Sequence, residues 1–174
     1  MITGVSIRPA TEHDALLLAK VHLDTVVTAY ADMFPARAPT PTLEMLVNEW
    51  RTAFDDPTHQ AFLATEAGSA IGTVAIRSDP DNVGSGELRR LHVVPTHWAR
   101  GIGSALYSTA LQALRNAGYS EAGLWVLAAN SRARSFYERR GWTLVPDKIL
   151  EWPGLETIEV RYERWVQADQ AGGP

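Results

Sequence analysis

Apolar and polar residues alternate at the start of the chain, where Val5, Ile7 and Pro9 are interleaved with Ser6 and Arg8. A period of two predicts a short strand, and the proline makes it an edge strand. Over residues 14–30 the period lengthens. Leu16, Leu17, Ala19, Leu23, Val26, Val27 and Tyr30 recur near helical spacing, with Asp24 and Thr28 mostly on the other side. This predicts a helix with one buried stripe, with Thr11 as a cap before it. The proline-rich residues 34–41 break the pattern, and Thr42 caps a second helix that carries Leu43, Leu46, Val47, Trp50 and Phe54 until Pro57.

Beyond Pro57 the period returns to two. Residues 61–66 and 71–77 are short, β-rich and separated by a glycine turn, which predicts a hairpin. A loop with Pro80, Asp81, Asn82, Gly84 and Gly86 leads to a third strand that runs from Glu87 to Pro95. In a regular strand Leu88 and Leu91 face opposite sides. Placing both in one core requires an extra residue, a bulge near Arg89 and Arg90 that splays the strand. A glycine turn at residues 100–104 precedes a helical pattern of Ala105, Leu106, Thr109, Ala110, Ala113 and Leu114, which stops at Gly118. An apolar strand at residues 123–128 follows. A third long helix then starts at Asn130 and ends at Gly141, and the alternation of residues 157–165 predicts the last strand. The order is mixed α/β without an internal repeat.

Composition narrows the class of protein. The 174 residues are 45% apolar and 21% charged, the usage of an ordinary soluble domain, and suit one core better than two. A single domain over residues 1–166 with a loose tail at 167–174 is expected. The net charge of −4 offers no basic excess for a phosphate backbone, so nucleic acid is not an expected partner. Without cysteine there is no disulfide, thiolate metal site or cysteine nucleophile. No metal is expected. The first residues lack a basic segment and apolar run, and no uncharged stretch nears the roughly 18 apolar residues of a membrane span, so a cytoplasmic location is expected.

Two stretches carry candidate chemistry. Arg100-Gly101-Ile102-Gly103-Ser104 lies between a strand and a helix, where glycines admit a ligand to the backbone and unpaired N–H groups point at it. A tight turn with close helix packing explains a lone Gly-x-Gly equally well. No Gly-Lys-Ser/Thr follows, which excludes a P-loop, and the third glycine of a dinucleotide fingerprint is missing. The second stretch is residues 130–142, whose helical spacing brings Ala133, Phe136 or Tyr137, and Arg140 near one another.

In this order the two stretches resemble the GNAT superfamily of acyl-CoA-dependent N-acyltransferases, over residues 5–165. The family's coenzyme signature, Gln or Arg, two residues, Gly, one residue, Gly or Ala, falls on Trp98, Ala99, Arg100, Gly101, Ile102 and Gly103. Trp98 departs from it. Residues 91–95, Leu-His-Val-Val-Pro, are similar to the family's splayed strand. Residues 130–142 match its second signature, Asn-x-x-Ala-x-x-Phe-Tyr-x-x-x-Gly-aromatic, at every fixed position.

The resemblance implies an α/β (α+β) fold with a mixed, mainly antiparallel sheet, a central splayed strand pair and helices on both faces. It implies acetyl-CoA as co-substrate, held by Leu91, His92, Val93, Trp98, Ala99, Arg100, Gly101, Ile102, Gly103, Ser104 and Asn130, with Arg100 as an available cation. Backbone N–H groups of Leu91, His92 and Val93 would also steady the developing oxyanion. Alkyl amines have a pKa of about 10, so attack needs a base, and Glu87 stands where a carboxylate often serves. Tyr137 is the implied proton donor to the leaving thiolate. A helix cap is the competing role for Asn130, and His92 and His97 read as a strand-face and a loop histidine. Tyr30, Phe34, Trp50 and Trp152 are candidate walls of the acceptor pocket, though each also suits plain packing. The acceptor is a small-molecule or peptide amine, and an exposed last strand would allow a homodimer. The alternative is a non-catalytic acyl-CoA-binding module of the same fold.

Overall fold

The structure is a computed structural model that describes residue 2 and residues 4–30, 32–35, 38–152 and 157–167, with Trp152 described by its backbone alone. Strand β1 (Val5–Ala10) leads through a short helical turn at Glu12–Asp14 into α1 (Ala15–Ala29) and α2 (Leu43–Ala53). Strands β2 (Gln60–Glu66), β3 (Ser69–Ser78) and β4 (Gly86–Val93) follow, then α3 (Ile102–Asn116), β5 (Glu121–Leu127), α4 (Ser131–Glu138), β6 (Thr143–Trp152) and β7 (Thr157–Trp165). The strands form one sheet in the order β1-β2-β3-β4-β5-β7-β6. Each pair is antiparallel except β4 with β5.

Alternation in the strands feeds two cores. Ala64, Val74, Ile76 and Leu88 face α3 and pack with Leu106, Ala110 and Leu114. Ala61, Leu63 and Ala75 face the other way, against Leu18, Ala19, Leu46 and Trp50 of α1 and α2. Helices thus cover both faces, as expected. The stripe of α1 is rotated from its predicted position: Ala15, Leu18, Ala19, Val21 and Thr25 are buried, whereas Leu16, Leu17 and Val27 are exposed. Small residues let this helix lie close to the sheet, which the period alone does not reveal. Thr42 caps α2 as expected, its hydroxyl accepting from the Met45 N–H at 3.2 Å.

The turn into α1 is held by charge. Arg8 donates to both carboxylate oxygens of Asp14, at 2.9 and 2.7 Å, and the Thr11 N–H adds a third bond at 3.0 Å. The hydrogen bond from Arg8 is the main cause that holds the Asp14 carboxyl at about 2, below its ordinary value. A carboxyl lowered on folding stabilises above its unfolded pKa of about 3.9, and that contribution disappears as pH falls through about 2. Asp14→Asn should therefore lower the melting temperature at neutral pH and narrow its gap from the parent chain as the buffer is acidified to pH 2.

Three sequence expectations change. The helix after Asn130 is only eight residues long. Gly141, at φ 78°, closes it: its N–H bonds to the Glu138 carbonyl at 3.0 Å and that of Trp142 to Tyr137 at 3.2 Å, a left-handed cap that needs glycine. Strand β6 is an addition to the predicted elements, because Pro146 and Asp147 interrupt its alternation, and the structure absorbs them as a slip in register between Val145 and Ile149. Last, β7 is not an exposed edge. It lies between β5 and β6, so β6 is the outer strand. Residues 168–174 of the expected tail lie outside the described residues.

Candidate functional site

The site begins with the bulge. Thr73 pairs with His92 but Ala75 pairs with Arg89, so β4 holds one more residue than β3 over this stretch. Arg90 takes the strain, at φ 54°. Leu88 and Leu91 consequently both pack against the α3 core, as the sequence required. The consequence lies on the other edge of β4. It pairs with β5 only at Gly86↔Ala122 and Glu87↔Gly123, whereas the other edge of β5 pairs with β7 from Glu121 to Leu127. Past Glu87 a gap opens between two strands that run side by side, and the β5-facing edge of β4 has no strand partner among the described residues. Main-chain groups in such a slot favour an extended ligand that can replace the missing strand.

The turn after β4 closes one end of this gap. Trp98 donates its indole N–H to the Val93 carbonyl at 2.6 Å, and Arg132 stacks over its ring at 4.2 Å. The unusual tryptophan thus ties the turn to the end of the strand. Ala99 and Gly101 both have positive φ, 60° and 82°, which bends the chain into α3. The Ala105 N–H reaches the Gly101 carbonyl at 3.0 Å and starts the helix, so the N–H groups of Ile102, Gly103 and Ser104 precede the first helical bond. A Cβ at Gly103 would meet only Val93 Cγ2, at 3.8 Å. The open face of Gly103 therefore suits a group that approaches the backbone.

The cation expected at this turn, Arg100, has a carboxylate beside it. Arg100 is engaged by Glu66, its Nη1 donating to Oε2 at 3.1 Å, and His97 Nε2 lies 3.1 Å from the same oxygen. The hydrogen bond from Arg100 is the main cause that lowers the Glu66 carboxyl, with His97 adding to it. His97 is a loop histidine as read, and Glu66 is the orienting partner that its sequence neighbours do not supply. Arg140 also reaches this turn: it donates to Ser104 Oγ at 2.9 Å while its guanidinium lies 3.6 Å from the centre of the Phe136 ring. The helical spacing of Phe136 and Arg140 is visible in sequence. Their contact with α3, 36 residues away, is not.

Tyr137 is buried, and burial pushes its hydroxyl above the ordinary range, with Tyr30 and Tyr107 adding to the effect. It is a protonated phenol. Tyr30 is raised to about 12, by burial and then by the carboxylate of Glu159. Asn130 caps α4, its side-chain oxygen accepting from the Ala133 N–H at 3.0 Å. Glu87 is buried, and its Oε2 accepts from Arg77 Nε at 2.6 Å, which leaves Oε1 without a hydrogen bond among the described residues. His92 lies on the strand face towards α1, stacked on His22 at 4.4 Å. Burial lowers both rings, His22 to about 4, so both are neutral at neutral pH. Trp50 is core and not a pocket wall, since it is fully buried beneath Arg90. Phe34 packs edge-on against Tyr30 at 6.3 Å, and the Trp152 side chain lies outside the described residues.

The model of the acetyltransferase (GNAT) family matches residues 23–142. A mycothiol acetyltransferase of Beutenbergia cavernae is 35% identical over 105 residues, which cover 60% of this chain and 35% of the relative. The chain thus spans about a third of the length of the curated relatives it matches. An acetyltransferase structure from Thermus thermophilus is 25% identical with a TM-score of 0.72, covering 94% of this chain and 98% of the other. The PaiA N-acetyltransferase of Thermoplasma acidophilum, solved with coenzyme A, is 22% identical with a TM-score of 0.69, covering 92% and 98%.

Proposed function

The chain belongs to the acetyltransferase (GNAT) family, and from that premise we propose that it transfers an acetyl group, or another acyl group, from acetyl-CoA to a primary amine by direct attack in a ternary complex. The observation that supports this most is the gap between β4 and β5, open past Glu87 and ending at the Gly101 turn. In this reading the N–H groups of Ile102, Gly103 and Ser104, with Arg140 beside them, hold the pyrophosphate. Trp98, Ala99 and Arg100 shape that turn. The edge of Leu91, His92 and Val93 holds the pantetheine arm, and the Asn130 amide, whose oxygen caps α4, has its N–H₂ left to offer. Bound there, acetyl-CoA supplies an activated thioester.

The remaining work is proton transfer by groups of this chain. Glu87 accepts the amine proton at Oε1, directly or through water, while Arg77 fixes the carboxylate from the other side. Tyr137, kept protonated by its burial, donates to the departing sulfur, whose thiol has a pKa of about 8.5. A main-chain N–H of the bulged strand steadies the carbonyl oxygen as charge develops.

Calorimetric titration with acetyl-CoA, followed by free-thiol release over a panel of amines, tests this reading. Binding with turnover on one or more amines supports it. Binding with no thiol release for any amine would make the chain a non-catalytic acyl-CoA module, and no binding would remove both readings. Tyr137→Phe should lower turnover about a hundredfold, the usual scale for one proton donor. Its acetyl-CoA affinity should stay within about twofold, because almost no contact area is lost. An unaltered rate would take Tyr137 out of the chemistry.

A further inference from the structure

On the sheet face opposite α3, an open cleft of about 620 Å³ lies between α2 and strands β3 and β4. The bulge puts Arg89 and Arg90 into its wall, together with Arg77, His59, Asp56 and Glu49. Three cations and, with the adjoining Glu87, three carboxylates meet here, yet they do not satisfy one another equally. Arg77 is bonded to Glu87 at 2.6 Å. Asp56 accepts from the Thr58 N–H and hydroxyl at 2.8 and 2.7 Å. Arg90 lies over the Trp50 ring but has only a long contact with a carboxylate, the half-exposed Glu49 at 3.4 Å, and among the described residues its buried Nη1 has no hydrogen-bond partner.

Arg89 has least. Among the described residues it makes no hydrogen bond or ion pair, and its Nε is buried and unsatisfied. Among the described residues neither ring nitrogen of the buried His59 is bonded, and burial lowers it to about 4, so it is neutral and brings one N–H donor. Unsatisfied donors of this kind are rare in a folded interior and mark a place where an acceptor belongs. Most of the unfilled capacity is for donation, from a planar guanidinium fork that fits a carboxylate. Glu49 and Asp56 at the rim oppose a dianion, which disfavours a phosphate.

We propose that this cleft is an anion subsite in which Arg89, supported by Arg90 and His59, holds a carboxylate of the amine acceptor, so that the acceptor is a small amino-acid-like molecule. The role in acceptor choice rests on the acyl-transfer reading, whereas the anion binding does not. Glu87 and Arg89 lie two residues apart on one face of β4, about 7 Å along a strand. An amine at Glu87 and a carboxylate at Arg89 are thus bridged by a few bonds.

The test uses N-acetyl derivatives of glycine, β-alanine and γ-aminobutyrate, each paired with its neutral carboxamide, titrated calorimetrically into the full chain with coenzyme A present. At least one acid should bind about tenfold or more tighter than its amide, the scale of one charge-assisted hydrogen-bonded pair. The acid-to-amide ratio should collapse towards one in Arg89→Gln and recover in part in Arg89→Lys. Equal affinity for acids and amides, no binding of either, or a preference that survives Arg89→Gln would overturn the subsite. Thiol release from acetyl-CoA with the corresponding free amines separates the two readings. Acid-selective binding without turnover on any amine keeps the subsite and sinks the transfer reading. Turnover on acids and amides alike, indifferent to Arg89, does the reverse.

Discussion

Gly103→Glu should sharply weaken acetyl-CoA binding while the chain stays folded, with a melting temperature at or slightly above that of the parent. The protein itself has no quarrel with a side chain here, because a Cβ would touch only Val93 Cγ2 at ordinary contact distance, 3.8 Å. Replacing glycine inside a helix recovers about 1 kcal/mol of propensity, and a negative charge in the first turn of α3 suits the helix dipole. On the proposed reading, the same charge occupies the position of the pyrophosphate, beside the N–H groups of Ile102, Gly103 and Ser104 that precede the first helical bond. Steric exclusion and like-charge repulsion then act together, and affinity should fall by about a hundredfold or more. A calorimetric titration beside a thermal melt checks both halves. Affinity close to that of the parent would remove the coenzyme phosphates from this turn.

The second large effect falls on stability. Asp79→Ala should destabilise the fold by about 3–5 kcal/mol, because it strands the charge of a fully buried arginine. Arg161 is completely buried on β7 and bonds through Nη2 to the equally buried Asp79, while its other carboxylate, Glu163, stands 3.4 Å away and partly exposed. Its Nη1 has no hydrogen-bond partner among the described residues. Gly123 on β5 makes the space, since a Cβ there would run into the guanidinium. For a chain of this length each kcal/mol shifts the melting temperature by about 2–4 °C, so a fall of roughly 10 °C is expected, with a matching drop in the urea midpoint. A shift below about 1 kcal/mol would mean that Glu163 compensates.

The same pair bears on the site. Asp79 follows β3 and Arg161 belongs to β7, so their bond spans β4 and β5 on the flank where those strands still pair. It ties β3 to β7 beside the end of the gap where β4 and β5 still pair. Loss of Asp79 should therefore also weaken acetyl-CoA binding in the fraction that remains folded.

Much of the site is readable without any coordinates. The bulge follows from two leucines that have to face one core, and the caps at Thr11, Thr42 and Gly141 follow from residues whose preferences act over one turn of chain. The turn from Arg100 to Ser104 is legible as glycines between a strand and a helix. The misreadings have a common origin. Proline and aspartate hide β6, since a strand on the sheet's rim tolerates an interruption that a central strand does not. The helical period places Leu16 and Leu17 inside because hydrophobicity reports preference for a core and not which side of α1 the sheet will occupy.

The sequence by itself determined most local units of this protein: every strand but β6, the helices, and where the main chain must bend or bulge. These depend on neighbours within a few residues, where period and steric preference decide. Tertiary structure alone decided which charges meet. Glu66 claims Arg100 across 34 residues, Arg140 reaches Ser104 across 36 and Arg161 finds Asp79 across 82, so the partner of each cation is set by strand order and register. Arg89 is left without a hydrogen bond or ion pair among the described residues for the same reason. The bulge that opens the strand pair also turns this guanidinium into a cleft whose carboxylates are already engaged or lie at the rim, and charge in a folded chain is answered by distance in space, not by distance along the sequence.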